Sequence, residues 1–312
     1  MHITIAICTW NRADLLRQTL DGMTRLLIPP ELDWELVVIN NNSTDATPAV
    51  ISEAADRLPI RGCFEPRQGK SHALNLATTE ARGEYIVWTD DDVLVDQHWL
   101  AEYAAAFQRR PDASFFGGPI EPWLVPPSPD WLTCVFNRVS NVYGARDLGP
   151  EPVRLTVQTL PFGANMAVRT AEQRRFPYDP AVSRRPDSPV RGEETFMLRR
   201  MLDAGCEGWW VPDARVRHWV PRGHQTLAYI RDYFVGLGQA RAMGPQPSHY
   251  TWLFGRPRFI WRQAIEEEVR YWATRMVSRP ETWIQHFIRA SLAWGQLRGP
   301  PPAESDKDAP GQ

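Results

Sequence analysis

The sequence predicts an α/β fold with a mainly parallel central sheet and a C-terminal helical extension. Three observations lead there. Apolar runs of strand length alternate with amphipathic stretches of helix length through the first hundred residues, the pattern of a sheet covered by helices on both faces. Polar clusters recur at the carboxyl ends of those runs, at Thr9-Trp10-Asn11-Arg12, Asn40-Asn41-Asn42 and Asp90-Asp91-Asp92, where open α/β sheets bind their ligands. Beyond Arg256 the apolar residues fall at helical spacing instead.

Taken in order, Ile3 to Cys8 reads as a strand. Asn11 reads as an N-cap, with Asp14 three residues on, before a helix carrying Leu15, Leu16, Leu20 and Met23. Trp34 to Ile39 is the second strand. Asp45 to Arg57 is a helix with Pro48 in its first turn. Arg61 to Phe64 is a short strand, Ser71 to Arg82 a helix and Glu84 to Trp88 the fourth strand. Asp96 to Arg109 is a helix and Ser114 to Gly117 a strand. Pro122 to Trp131 is proline-rich and reads as an ordered loop. Thr159 to Val168 reads as a strand returning to the site. Arg184 to Gly192 reads as a mobile loop, and Glu193 to Ala204 as a helix ended by Gly205. Val216 to Trp219 is strand-like, and the tail after Gly299 has a disordered composition.

Composition narrows the class. The 312 residues carry 43% hydrophobic and 23% charged side chains, ordinary for a soluble globular protein, and a net charge of −2 gives no field for nucleic acid. Cys8, Cys63, Cys134 and Cys206 have no metal-binding spacing; three of them sit in apolar stretches and read as buried thiols, which fits a reducing compartment. Met1-His2-Ile3 enters a strand with no basic leader or cleavage site, and no run of 18 apolar residues exists, so a cytoplasmic location is expected. No GxGxxG follows the first strand. Gly69-Lys70-Ser71 resembles the end of a P-loop, but Phe64 stands where its first glycine belongs.

The acidic triplet carries the chemistry. Adjacent carboxylates repel unless a positive charge lies between them, and Mg²⁺ or Mn²⁺ is the usual one, commonly shared with substrate phosphates. A solvated acidic turn or a helix N-terminus would also explain the three residues. The surrounding pieces favour the metal.

Those pieces are Cys8-Thr9-Trp10-Asn11-Arg12, Val37 to Asp45, Gly69-Lys70-Ser71-His72-Ala73-Leu74-Asn75, Ala81 to Tyr85, the acidic triplet, Gly163-Ala164-Asn165-Met166 and Gly192-Glu193-Glu194-Thr195, in that order. Over roughly residues 1 to 235 the chain resembles the family 2 glycosyltransferases of GT-A fold. The resemblance implies a nucleotide-binding sandwich that moves a sugar from a nucleotide-diphosphate donor to a hydroxyl, with inversion. It implies Asp90, Asp91 and Asp92 as the metal site, with His218 a further metal or diphosphate ligand. It implies Glu194 as general base, with Glu193 turned to the acceptor or to adjacent backbone. A preference of acids for a helix N-terminus is the competing explanation for that pair. Thr9, Arg12, Asn40, Asn41, Lys70 and Asp90 fall at the donor, and Asn165 and Trp209 at the acceptor. Many relatives read uracil with an aspartate where this chain has asparagines. UDP stands first among the donors, with dTDP and GDP open. Trp131 and Trp210, like Trp209, could stack on sugars or sit in the core.

The implied partners are a nucleotide sugar and a glycan or lipid-linked acceptor, as in cell-surface polysaccharide or glycolipid assembly. A sugar-1-phosphate nucleotidyltransferase would need a glycine-rich basic loop after the first strand, which is missing. A non-catalytic sugar-nucleotide binder would not need every acidic position filled.

The expected division is a catalytic domain over 1–235, a helical extension over 236–298 and a tail over 299–312. Within the extension, over 256–298, Trp261, Ile265, Val269, Trp272 and Met276 form one stripe, and Ile284, Phe287, Ile288 and Trp294 another, among eight arginines and four glutamates. Such helices pack on the catalytic core, form a dimer contact, or lie peripherally on the inner face of an anionic membrane.

Overall fold

The computed structural model describes residues 1–180, 192–242 and 251–299. Two compact units divide them. The first is built on a seven-stranded sheet of order β3-β2-β1-β4-β8-β6-β9. Its strands are β1 (His2–Thr9), β2 (Asp33–Asn40), β3 (Ile60–Phe64), β4 (Tyr85–Asp90), β6 (Phe115–Gly117), β8 (Met166–Arg169) and β9 (Gly208–Trp210). β3, β2, β1 and β4 run parallel; β8 lies antiparallel between β4 and β6. A second sheet of order β5-β10-β7 joins β5 (Val93–Val95), β10 (Val216–Val220) and β7 (Ile120–Leu124).

The central parallel strands β1, β2 and β4 are mainly apolar because both faces are buried, while β3 at the edge is partly exposed. Alternate residues go to opposite layers. Ile3, Ile5 and Ile7 of β1, Leu36 and Val38 of β2, and Tyr85 and Val87 of β4 meet α1 (Ala13–Met23), α2 (Thr47–Ala54) and α4 (Trp99–Arg109). Ala6, Val37, Ile39, Ile86 and Trp88 meet α3 (Lys70–Glu80) and α7 (Glu193–Asp203) on the other side. Tyr85 stacks on Phe107 at 3.8 Å between centroids, which anchors α4 to the sheet. A short helix, α6 (Thr170–Arg175), follows β8.

Several expectations change. Asn11 is not a cap. It sits at φ 52°, and its Oδ1 accepts the Thr44 N–H at 2.7 Å, tying the end of β1 to the turn after β2. Arg12 is the residue before the helix, and Asp45 accepts the Ala13 N–H from outside at 3.0 Å. The expected strand over 159–168 is a 3₁₀ turn at Gly163–Asn165 followed by β8, because Asn165 is drawn into the core. The proline-rich stretch from Pro122 includes β7 and the start of α5 (Asp130–Val139). β5, β7 and β9 pass unread in the sequence because segments of three to five residues carry too little periodicity. The loop expected over 184–192 lies, apart from Gly192, outside the described residues, as does the tail from 300.

The second unit holds Val125–Val142, with α5, and the chain from Pro221. Its long helices are α8 (Leu227–Ala242), α9 (Arg258–Arg275) and α10 (Pro280–Arg298), with a hairpin of β11 (Trp252–Leu253) and β12 (Arg256–Pro257) ahead of α9. The boundary therefore falls at Val220, not at 235, because α8 packs on α10. Gly238 and Gly295 let those two backbones touch. A Cβ on Gly295 would lie 2.2 Å from the Val235 carbonyl oxygen, and one on Gly238 2.2 Å from that of Leu292. Trp131 is half-buried and packs against Trp283 in this unit. Gly295→Val should force the helices apart and lower the unfolding free energy by about 3 kcal/mol, read as a fall in the denaturation midpoint followed by circular dichroism.

Candidate active site

The acidic triplet sits where β4 ends. Asp90 is the last strand residue, and Asp91 and Asp92 form the turn into β5. Burying two adjacent carboxylates requires compensation. Asp91 Oδ2 accepts a hydrogen bond from Thr9 Oγ1 at 2.7 Å, and Oδ1 accepts one from Arg12 Nη1 at 3.0 Å. The Asp91 carbonyl accepts from Thr19 Oγ1 at 2.9 Å. Burial raises the Asp91 pKa, with Arg12 opposing it. Both its oxygens are engaged inside the protein, so Asp91 serves the turn.

Asp92 Oδ2 accepts from the same Arg12 Nη1 at 2.8 Å. Its Oδ1 lies 3.3 Å from His218 Nε2, close enough for an ion pair but without hydrogen-bond geometry. Burial would raise the Asp92 pKa, but His218 and then Arg12 outweigh it and hold the carboxyl below its ordinary value. β10 delivers His218. Trp219 donates its backbone N–H to the Asp92 carbonyl at 2.8 Å, which fixes the imidazole beside the turn. Asp90, Asp92 and His218 each offer one ligand atom within 4.8 Å of the others. Asp92 Oδ1 and His218 Nδ1 are buried without a hydrogen-bond partner. A carboxylate oxygen left without a donor beside a second carboxylate and an imidazole fits a divalent cation.

Lys70, at the start of α3, places Nζ 3.3 Å from Asp90 Oδ1 and 2.8 Å from Glu194 Oε1. Burial opposes its charge, but Asp90 and Glu194 raise its pKa well above the ordinary value. Glu194 is the second residue of α7, and Gly163 makes room for it. A Cβ on Gly163 would stand 2.3 Å from Glu194 Oε1. Glu193 turns inward and is 2% exposed, its Oε2 accepting the Gly192 N–H at 3.0 Å. Burial, and then Glu194, raise its pKa.

Other expected contacts are spent elsewhere. Asn40 Oδ1 accepts the Ser43 N–H at 2.9 Å. Asn41 donates to the carbonyls of Glu65 and Arg67 and accepts the Gly69 N–H at 3.0 Å, holding the loop into α3. Thr9 and Arg12 bind the acidic turn. Asn165 is the clearest correction. It is fully buried, its Oδ1 accepts from Trp99 Nε1 and Tyr103 Oη, both at 2.8 Å, and its Nδ2 donates to the carbonyls of Pro119 and Ala214. All four hydrogen-bonding positions of the amide are used, so none remains for an acceptor. Trp209 lies on β9 at the sheet edge beneath the Arg110 guanidinium, 3.7 Å from the ring centroid. Trp210 is buried and donates to the Gly149 carbonyl at 3.0 Å. Gly163 and the Lys70–Glu194 contact were not foreseen as a unit; Gly163-Ala164 and Glu193-Glu194 stand some thirty residues apart in sequence, with no periodicity to link them.

The seven-stranded sheet with its acidic turn is that of a GT-A glycosyltransferase. The Glycosyl transferase family 2 sequence model matches residues 4–124, and over that stretch the chain is similar to that family. It is an enzyme of the glycosyltransferase class. Succinoglycan biosynthesis protein ExoM of Rhizobium meliloti (strain 1021) is 24% identical over 241 residues, covering 77% of this chain and 74% of ExoM. Validoxylamine A glucosyltransferase of Streptomyces hygroscopicus subsp. limoneus is 32% identical over 106 residues, covering 33% of this chain and 23% of that protein. Apart from ExoM, the chain spans under two-fifths of the length of the curated relatives it matches. Among solved structures, the mannosyltransferase PcManGT from Pyrobaculum calidifontis, in complex with GDP-Man and Mn²⁺, has a TM-score of 0.60 at 20% identity, over 95% of this chain and 87% of that one. S. aureus TarS 1-349 in complex with UDP-GlcNAc has a TM-score of 0.54 at 15% identity, over 93% and 82%.

Asn165→Ala should strand two buried donors and two carbonyls and cost roughly 3 kcal/mol or more. Urea denaturation reads this directly. A contact to sugar alone would leave the midpoint unchanged.

Proposed function

We propose that the chain is a metal-dependent, inverting glycosyltransferase that moves a sugar from a nucleoside-diphosphate donor, UDP first, to a hydroxyl of a glycan or lipid-linked acceptor. The observation that carries the reading is the cluster of Asp90, Asp92 and His218, with a buried carboxylate oxygen that accepts no hydrogen bond, joined through Lys70 to Glu194. Asp90, Asp92 and His218 would hold Mg²⁺ or Mn²⁺, which supplies Lewis-acid stabilisation to a leaving diphosphate. Arg12 keeps Asp92 in the ligand rotamer through its 2.8 Å hydrogen bond. Lys70 adds a second positive charge at the side facing Glu194.

Glu194 is the general base. Its Oε1 is held by Lys70, which leaves Oε2 to take the proton of the acceptor hydroxyl. As that proton moves, the hydroxyl oxygen bonds to the anomeric carbon. The bond from that carbon to the diphosphate oxygen breaks with its electron pair going to the diphosphate. A single displacement inverts the centre. Glu193 holds the start of α7 and is not the base. Asn40 and Asn41 act by shaping the turn and loop beside the donor, since their amides are engaged. UDP is placed first because neighbours of this fold include complexes with UDP-GlcNAc and with UDP, although one carries GDP-Man. A lipid-linked acceptor would bring the chain to a membrane surface from the cytoplasmic side, and no helix among the described residues is long and apolar enough to cross one.

Calorimetric titration with UDP, dTDP and GDP, with and without Mn²⁺, tests the reading. One nucleotide should bind only with metal, and Asp92→Asn or His218→Ala should weaken it at least tenfold. Folded protein that binds none of the three overturns the proposal. Glu194→Gln should keep donor binding and lower transfer by about 10²- to 10⁴-fold. Gly163→Ala should act through the same carboxylate, lowering kcat by an order of magnitude or so while metal-dependent nucleotide binding persists.

A further inference from the structure

We propose that the outer face of α9, with the β11–β12 hairpin at its N-terminal end, lies on an anionic phospholipid surface. This deepens the lipid-linked acceptor reading by assigning the surface that would meet the lipid. Among the described residues sixteen large apolar side chains are exposed, and nine of them fall between Trp252 and Val277. The folding core does not need them. The inner face of α9 is already filled by Ile260, Ala264 and Tyr271, with Glu267 held there by His286 at 2.6 Å.

The exposed residues share one line. Ile265, Val269, Trp272 and Met276 follow one another by four, three and four positions and are 54%, 62%, 56% and 83% exposed. Trp261, four residues before Ile265, extends the line to the hairpin. Its Nε1 donates to the Leu253 carbonyl at 3.0 Å, and its ring lies 6.1 Å from that of Phe254. The stripe from Trp261 to Met276 is therefore about 22 Å long at 1.5 Å per residue. Phe254 is 85% exposed at φ 50°, a left-handed conformation that bulky residues avoid. The turn spends conformational energy to present an aromatic tip to solvent.

Charge selects the occupant. Arg258 and Arg262 lie along the N-terminal half of the stripe, and Arg275 and Arg279 at its far end. Among the described residues Arg258 and Arg279 have no carboxylate partner, and Glu266 is shared by Arg262 and Arg270, both at 3.6 Å. An apolar line with aromatic residues and flanking arginines matches the boundary between acyl chains and anionic headgroups. A second copy of this chain would bring like charges to the same line. No described helix crosses a bilayer, so the contact is peripheral.

The test is sedimentation of the full chain with vesicles of phosphatidylcholine alone and with phosphatidylglycerol added. Binding should appear only with the anionic lipid and fade as salt rises. Val269→Ser/Trp272→Ser/Met276→Ser should lower it at least tenfold, and Arg258→Gln/Arg279→Gln by about tenfold at low salt, with circular dichroism unchanged. No binding to anionic vesicles, or binding indifferent to both sets of substitutions, overturns the proposal. So does a concentration-dependent dimer in sedimentation velocity that the serine substitutions abolish. Nucleotide titration of the same variants separates the two readings. Metal-dependent donor binding without lipid binding removes only this surface, and lipid binding without donor binding removes only the donor reading.

Discussion

Arg12 is the charge on which the acidic turn depends. Three successive carboxylates end a central strand, and two of them are buried. One guanidinium nitrogen reaches both buried acids, at 3.0 and 2.8 Å. Without it the turn would hold two adjacent negative charges in a low dielectric, and one would have to take up a proton. With Arg12 and Thr9 saturating Asp91, the neighbours on either side can each present an oxygen beside His218. The positions of Asp90 and Asp92 relative to His218 follow from that local neutralisation.

The rest of the site is assembled from distant segments by backbone contacts. The Trp219 N–H on the Asp92 carbonyl sets β10, and therefore His218. Thr89 Oγ1 donates to the Ala164 carbonyl at 3.0 Å, which brings the Gly163 turn under Glu194. Lys70 then joins the two acidic centres with one ammonium group. Its charge is retained despite burial because carboxylates lie on both sides. Each contact is ordinary in strength. Their common effect is to hold carboxylates, imidazole and ammonium in a small volume at the carboxyl end of a parallel sheet, where α/β folds place ligands.

The long parallel strands and the helices between them were legible because both kinds of burial leave a period. Ile3, Ile5 and Ile7 mark one layer and Leu16, Leu20 and Met23 the helix upon it. The acidic triplet and the glutamate pair were legible as chemistry, since so many acids in so few residues need a cation or a role. The short strands β5, β7 and β9 were not, and neither was the division of labour within each acidic group. Asp91 and Asp92 are indistinguishable in a string of three aspartates. Asn165 shows the same limit from the other side. A polar residue in a glycine turn suggests a ligand, yet its amide is closed by Trp99, Tyr103, Pro119 and Ala214 from three other segments.

By itself the sequence determined the α/β layering and the set of candidate acids, because these follow from local periodicity and residue chemistry, and its ordered motifs carried the family resemblance. Only the tertiary structure decided that Asp91 is structural, that Glu193 faces the backbone while Glu194 meets Lys70, and that Asn165 is core. The reason is geometric. Whether a polar atom is free to meet a ligand depends on which partners long-range packing brings within 3 Å, and those partners lie up to 124 residues away in the chain.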